Sequence, residues 1–208
     1  MKLVLLGPPG SGKGTQAEKL SKEFNILKIS TGDILRDAVH SNTELGRRVK
    51  EYLLKGRLVP DEIILDLMSQ KLGNLKGFIL DGFPRTLPQA IGLEKRTDID
   101  FVVAFVLPNT TVISRLSKRR VCIKCGAVYS LDANPPLRKN ICDRCGSKLR
   151  IRDDDKKSTI RKRFLVYKRE TKPLEDFYKK KKILKYLNGN GSADEVYRRL
   201  KKLISNKV

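Results

Sequence analysis

The chain has one histidine, no tryptophan, four cysteines and 23 acidic side chains against 45 basic ones. No apolar run approaches the roughly 20 residues that a membrane span needs. Lys2-Leu3-Val4-Leu5-Leu6 is too short for a signal peptide and runs straight into glycines, so no membrane association and a cytoplasmic location are expected. His40, alone in a polar stretch before Ser41-Asn42, reads as a surface residue and not as a catalytic base. The shortage of acids leaves a net charge of +22, which raises nucleic-acid binding as a possibility. Much of the excess, however, is lysine in helix-like C-terminal sequence such as Lys179-Lys180-Lys181-Lys182, with little aromatic interleaving. Charge alone gives only sequence-independent attraction. A solvated basic face is the simpler reading, and dedicated nucleic-acid binding is not expected. Internal repeats and low-complexity linkers are absent, and 208 residues with 39% hydrophobic content suit one sizeable core with room for insertions.

What is present alternates strand and helix patterns, which favours a parallel sheet covered by helices. Residues 2–6, 27–29, 78–80 and 183–187 are short apolar strand candidates. Residues 101–107, bounded by Asp100 and Pro108, are the most apolar stretch and read as a central strand buried on both faces. Helical spacing covers 13–24, 33–40, 45–55, 61–72 and 109–120, then resumes from 156 to about 178 with a bend expected near Pro173. No element is assigned to residues 87–94. Ser192 and Glu195, three apart, form a capping box that opens a final amphipathic helix through Val196, Leu200 and Leu203. From Val121 to about Asp155 cysteines, prolines and turns replace periodicity, marking an inserted module.

After the first strand comes Gly7-Pro8-Pro9-Gly10-Ser11-Gly12-Lys13-Gly14-Thr15. Its glycines let backbone amides turn inward around an anion, the following helix points its positive end at the same place, and Lys13 can reach outer phosphates. A phosphate-binding loop normally has a hydroxyl directly after the lysine, to hold magnesium. Here that position is Gly14, and the hydroxyl arrives at Thr15.

The run GPPGSGKGTQA resembles the loop of the nucleoside monophosphate kinases, which have glycine after the lysine and threonine next. The resemblance continues in order at Ser30-Thr31-Gly32-Asp33-Ile34-Leu35-Arg36, at Asp81-Gly82-Phe83-Pro84-Arg85-Thr86 with Gln89 behind, and at Arg119-Arg120 and Arg152-Asp153-Asp154-Asp155. Within that family the chain is similar to the adenylate kinases with a long lid. The resemblance implies an α/β fold: a P-loop kinase core with a five-stranded parallel sheet flanked by helices, formed by residues 1–29, 60–117 and 156–208. An AMP-binding helical insert would occupy residues 30–59 and a lid residues 118–155. It further implies reversible phosphoryl transfer from Mg-ATP to AMP, giving two ADP, by a monomer serving adenine nucleotide homeostasis.

The roles it implies are specific. Gly10, Ser11, Gly12, Lys13, Gly14 and Thr15 would hold ATP phosphates, Arg115 would stack over the ATP adenine, and Val128 and Tyr129 would touch ATP from the lid. Thr31 and Arg36 would bind AMP; Arg57, Leu58 and Val59 would line its base; Gly82, Phe83, Pro84, Arg85 and Gln89 would close its site. Arg119, Arg152 and Arg163 would clamp phosphates during closure, and Lys13 would follow the migrating group. Asp81, at a strand end, suits the water shell of Mg2+, and Asp33 would assist. Asp154 and Asp155 resemble the acidic pair at the lid hinge.

Cys122-Ile123-Lys124-Cys125 and Cys142-Asp143-Arg144-Cys145 are two knuckles 16 residues apart that use every cysteine in the chain. In a reducing compartment this spacing favours a tetrahedral four-thiolate Zn2+ site over disulfides, with Fe2+ or redox pairing as the lesser readings. A closed site of this kind is structural and would staple a small lid. Two other functions remain open at this stage: a P-loop nucleic-acid-binding ATPase with a zinc ribbon, for which Lys124, Arg138, Lys139, Arg144 and Lys148 speak, and a UMP/CMP kinase, against which the long insert speaks.

Overall fold

A computed structural model describes residues 1–205, with the backbone alone at Lys157. In chain order the first half comprises β1 (Lys2–Leu6), α1 (Lys13–Phe24), β2 (Leu27–Ser30), α2 (Thr31–His40), α3 (Glu44–Lys55), α4 (Asp61–Leu72), β3 (Phe78–Asp81), α5 (Leu87–Glu94) and β4 (Phe101–Val106). Then follow α6 (Asn109–Ser117), β5 (Arg119–Cys122), β6 (Val128–Ser130), β7 (Leu149–Arg150), α7 (Lys157–Val166), α8 (Leu174–Lys180), β8 (Leu184–Asn188) and α9 (Ala193–Ile204).

Five strands form one parallel sheet in the order β2-β3-β1-β4-β8. Side chains alternate across it, so Leu3 and Leu5 of β1 enter one core while Val4 and Leu6 enter the other. The first core is completed by α1 and α9 through Ala17, Leu20, Val196 and Leu200, the second by Leu35, Val49, Met68, Leu93 and Tyr178. Burial on both faces explains why Phe101-Val102-Val103-Ala104-Phe105 is continuously apolar. β1 lies between β3 and β4, where the strand order reverses, and ligands of open α/β sheets bind beyond the strand ends at such a point. The register pairs Asp81 with Leu5 on one side and Ser30 on the other, so β1, β2 and β3 end together.

Residues 119–150 make a separate antiparallel sheet, β6-β5-β7, over a small cluster of Cys122, Ala127, Tyr129, Cys142 and Leu149. The helix expected through residue 120 stops at Ser117, and Arg119-Arg120 begin β5 instead. Pairing of Arg119 with Ser130 and Cys122 with Leu149 overrides the local helix preference of that segment. The helix expected across 156–178 is interrupted just before Pro173, where a bend was expected: after α7 the backbone widens into a π turn at Tyr167–Thr171 before α8. α2 starts two residues earlier than its pattern indicates, with Ser30 Oγ accepting from Asp33 N at 3.3 Å. α5, unassigned from sequence, begins at Thr86, whose Oγ1 accepts from Gln89 N at 3.3 Å. The capping box forms as expected: Glu195 N donates to Ser192 Oγ and Ser192 N to Glu195 Oε2. Among the described residues no helix is long and apolar enough to cross a membrane.

Candidate active site and metal centre

The glycine loop leaves β1 and packs hard on α6. Gly10 has φ +82°, and a Cβ there would stand 2.7 Å from Leu116 Cγ. α1 begins at Lys13 with no side chain capping its first amides, which leaves them turned toward the loop for an anion. Lys13 folds back over that space, donating from Nζ to Gly7 O at 2.7 Å, Pro8 O at 2.9 Å and Ser11 Oγ at 3.2 Å. Burial lowers its pKa to about 8; Asp81 opposes the shift, and Arg85, Arg163 and Arg119 add to it. The place of Gly14 is explained by the neighbouring strand end. A Cβ on Gly14 would lie 3.0 Å from Asp81 Oδ2, so a hydroxyl-bearing side chain after the lysine would press on that carboxylate. Ser11 is buried in the loop, whereas Thr15 is exposed.

Beside the loop, the Gly82 carbonyl accepts from both Thr31 Oγ1 and Arg85 Nε at 2.7 Å. Arg85 N donates to Gln89 Oε1 at 2.8 Å, while Gln89 Nε2 and Thr86 Oγ1 both donate to Asp61 Oδ1, at 2.7 and 2.9 Å. Gln89 is therefore a brace between Asp61 and Arg85. Phe83 is buried, and the Phe83-Pro84 peptide is cis. Arg57, Leu58 and Val59 line an open groove of about 540 Å3 together with Pro60, Asp61 and Thr86.

The cleft gathers Lys13, Arg36, Arg85, Arg119, Arg152 and Arg163 with Asp33, Asp81, Asp154 and Asp155. With Lys28, 3.5 Å from Asp33, seven cations face four carboxylates, so positive charge is in excess. Asp155 is wholly buried and accepts from Arg119 Nε at 2.7 Å, Arg119 Nη2 at 2.5 Å and Arg163 Nη1 at 3.0 Å. Arg163 also meets Asp154 Oδ2 at 3.0 Å. Arg36 donates to Asp33 Oδ1 at 2.6 Å. Burial of Asp33 would raise its pKa, but Arg36, Lys28 and Arg152 outweigh it and hold the carboxyl at about 2. Burial pushes Arg152 down to about 9 and Arg85 to about 10, and in each case neighbouring arginines push the same way. Cations crowded together and only partly open to water are complementary to a polyanion.

Arg115 joins α6 to the loop before α9. Its Nη1 donates to Gly189 O at 3.0 Å and Ser11 O at 3.4 Å, and its Nη2 to Gly191 O at 3.0 Å. That Gly189–Gly191 segment beside the phosphate loop was not singled out from sequence, although its two glycines between strand and capping box were a local signal. Asp61 was likewise missed, because its partners Thr86 and Gln89 are distant in the chain. Tyr129 lies in the core of the small sheet and not in the cleft: its hydroxyl accepts from Asp143 N at 2.8 Å and stands 3.5 Å from Cys142 Sγ. Its neighbour Val128 is exposed.

The four cysteine Sγ atoms lie within 4.8 Å of one another, with Cys122–Cys145 at 3.4 Å and Cys125–Cys142 at 3.5 Å. Tetrahedral zinc with Zn–S of about 2.3 Å puts its sulfurs about 3.8 Å apart, so the cluster fits that ion. The two knuckles repeat one backbone pattern. Gly126 N bonds to Cys122 O and Gly146 N to Cys142 O, at 3.0 and 2.8 Å, while Cys122 N reaches Ala127 O and Cys142 N reaches Ser147 O.

A parallel sheet with a glycine loop after its first strand, an aspartate at the neighbouring strand end and arginines gathered beside them, together with a cysteine-bearing insert, fits a P-loop phosphotransferase. The family model described as adenylate kinase matches residues 5–183. Adenylate kinases from Archaeoglobus fulgidus and Carboxydothermus hydrogenoformans are 47% and 46% identical to it, each alignment covering at least 97% of both chains. The one from Caldanaerobacter subterraneus is 48% identical, across 98% of this chain and 96% of its own. The chain belongs to the adenylate kinase family.

Proposed function

We propose that the cleft transfers the terminal phosphoryl group of Mg-ATP reversibly to AMP, giving two ADP, with the roles divided as follows. The observation that carries this reading is the gathering of cations from separate elements beside the phosphate loop: Asp81 abuts Gly14 at 3.0 Å from a Cβ there, Asp155 joins Arg119 to Arg163, and Arg163 and Arg36 both approach Asp154, at 3.0 and 3.9 Å. ATP phosphates lie on Gly10, Ser11, Gly12, Lys13, Gly14 and Thr15, with Arg115 and the lid residue Val128 on the ATP side. AMP lies among Thr31, Arg36, Arg57, Leu58, Val59 and the Gly82–Arg85 turn braced by Gln89. An AMP phosphate oxygen attacks the γ-phosphorus as the bond to the bridging β,γ oxygen breaks, and the charge leaves on ADP. No side-chain base is needed. Lys13, Arg85, Arg119, Arg152 and Arg163 hold the reacting groups in line and offset their repulsion, which is most of the catalytic work in such transfers.

Asp81, with Asp33 assisting, would hold the hydrated Mg2+, which when bound neutralises the phosphate oxygens. The reading is supported by the approach of Asp81 Oδ2 to the loop, 3.0 Å from where a Cβ on Gly14 would stand. Residues 30–59 and 118–155 act as the AMP-binding insert and the lid on a core of 1–29, 60–117 and 156–208. Zn2+ on Cys122, Cys125, Cys142 and Cys145 holds the lid fold, and closure excludes water from the transfer. Cysteines that form no disulfide suit a reducing cytoplasm, and the enzyme works as a monomer.

The test is a coupled assay of ADP formation from ATP, Mg2+ and AMP, with UMP and CMP as competing acceptors. ADP with AMP alone is expected; its absence, or preference for a pyrimidine nucleotide, overturns the reading. Arg85→Ala should lower turnover by at least about 100-fold with the fold intact.

A further inference from the structure

Between α7 and α8 the helix widens for one turn, and Lys172 N bonds to Tyr167 O, five residues back, at 2.9 Å. Pro173 explains the break. It has no N–H, and its ring would collide with the carbonyl four residues earlier, so an α-helical ladder cannot pass through it. Inserting one residue turns all that follows by roughly 100° about the helix axis. Single π turns of this kind concentrate at functional sites. Here the turn aims Thr171, 7% exposed, at the Asp81–Arg85 loop, where its Oγ1 donates to Arg85 O at 2.9 Å.

Arg85 is thereby fixed at three points. Its N–H is held by Gln89 Oε1 at 2.8 Å, its carbonyl by Thr171, and its Nε by Gly82 O at 2.7 Å. Among the described residues its two outer nitrogens make no hydrogen bond. The backbone and Nε anchor the residue, and the forked end is left for a ligand. We infer that Thr171, presented by the π turn, is a positioning residue that sets the forked end of Arg85 against the transferring phosphoryl group. The inference rests on Arg85 clamping phosphate, as proposed above. A displacement of about 1 Å in such a group can cost on the order of 100-fold in rate. Thr171 supplies one of three anchors, so a smaller effect follows from its loss.

Thr171→Val keeps the shape and removes the donor. Turnover should fall about tenfold, which is about 1.4 kcal/mol in the barrier. KM for ATP should stay unchanged, and Thr171→Ser should restore the rate to within about twofold of the parent, by keeping the same donor. The deciding measurement is the same substitution in the Arg85→Ala background, where Thr171→Val should have no further effect because the group it positions is gone. A normal rate for Thr171→Val, or failure of serine to restore it, overturns the inference. So does an equal tenfold loss in both backgrounds, which would mean a general structural role. A normal rate for Arg85→Ala by itself would instead overturn the assignment of Arg85.

Discussion

Replacing Asp155 by asparagine removes one negative charge from between two arginines. The side chain is wholly buried, and its oxygens accept three charge-assisted hydrogen bonds, two from Arg119 and one from Arg163. Whichever oxygen becomes an amide nitrogen, a donor then faces an arginine donor. Removing one partner of a buried ion pair costs about 3–5 kcal/mol. Two features favour the lower end: Arg119 and Arg163 each keep 16% exposure, and Arg163 retains Asp154 Oδ2 at 3.0 Å. About 3 kcal/mol in a chain of this size lowers the melting temperature by roughly 6–12 °C. Urea and thermal unfolding of the nucleotide-free protein at constant zinc measure it. A loss below about 1 kcal/mol would refute the reasoning, since it would place the pair in the range of solvent-screened surface bridges. The same experiment with Mg-ATP and AMP carries a second test. Bound phosphates supply the charge that asparagine removes, so the gap between variant and parent should narrow; a wider gap would mean that Arg119 and Arg163 do not meet phosphate.

Three further outcomes follow from the site. The free lysine at position 13 loses its proton near pH 8, and phosphate favours the ammonium form, so ATP binding takes up a proton above that pH. KM for ATP should rise above pH 8 by at most about tenfold per pH unit, and a flat profile up to about pH 10 would count against a phosphate-facing Lys13. Gly14→Ala should leave stability within about 1 kcal/mol, since the gain in helix preference is offset by displacing Asp81. It should also raise the Mg2+ concentration needed for turnover, and an unchanged Mg2+ dependence would remove Asp81 from that role. Metal analysis should find one zinc per chain, and chelation should lower the melting temperature; a metal-free protein that melts normally would exclude a structural metal.

The parts legible in the sequence are those whose chemistry is local. Each cysteine knuckle closes through a glycine directly after its second cysteine, so spacing alone indicated the shared site that the four sulfurs form. Strands buried on both faces were visible as continuous apolar runs, because nothing polar can be tolerated there. Helix ends were less legible, because they depend on partners elsewhere. Arg119 and Arg120 carry a helix-compatible sequence, yet their pairing with Ser130 and Tyr129 pulls them into β5. Tyr129 carries no local sign that its ring would turn into the cysteine cluster, a placement that follows from the same pairing.

Gly14 shows how a local oddity acquires a distant cause. Within the loop, a glycine where a magnesium-binding hydroxyl is usual looks like a loss of function. In the folded chain that glycine leaves room for Asp81, whose Oδ2 would stand 3.0 Å from a Cβ at this position. The carboxylate comes to that place by the register of β1 against β3, which sets Leu5 opposite Asp81. On the proposed assignment, Asp81 would hold the hydrated metal in place of the missing loop hydroxyl, and the two positions would act as one unit. Restoring the hydroxyl by Gly14→Ser should therefore not repair magnesium binding. It should weaken it at least as much as Gly14→Ala does, because the added side chain displaces Asp81 before it can reach the ion. Titration of activity with Mg2+ in the two variants decides this: a serine variant that needs less Mg2+ than the alanine variant would mean that the loop alone sets the metal site.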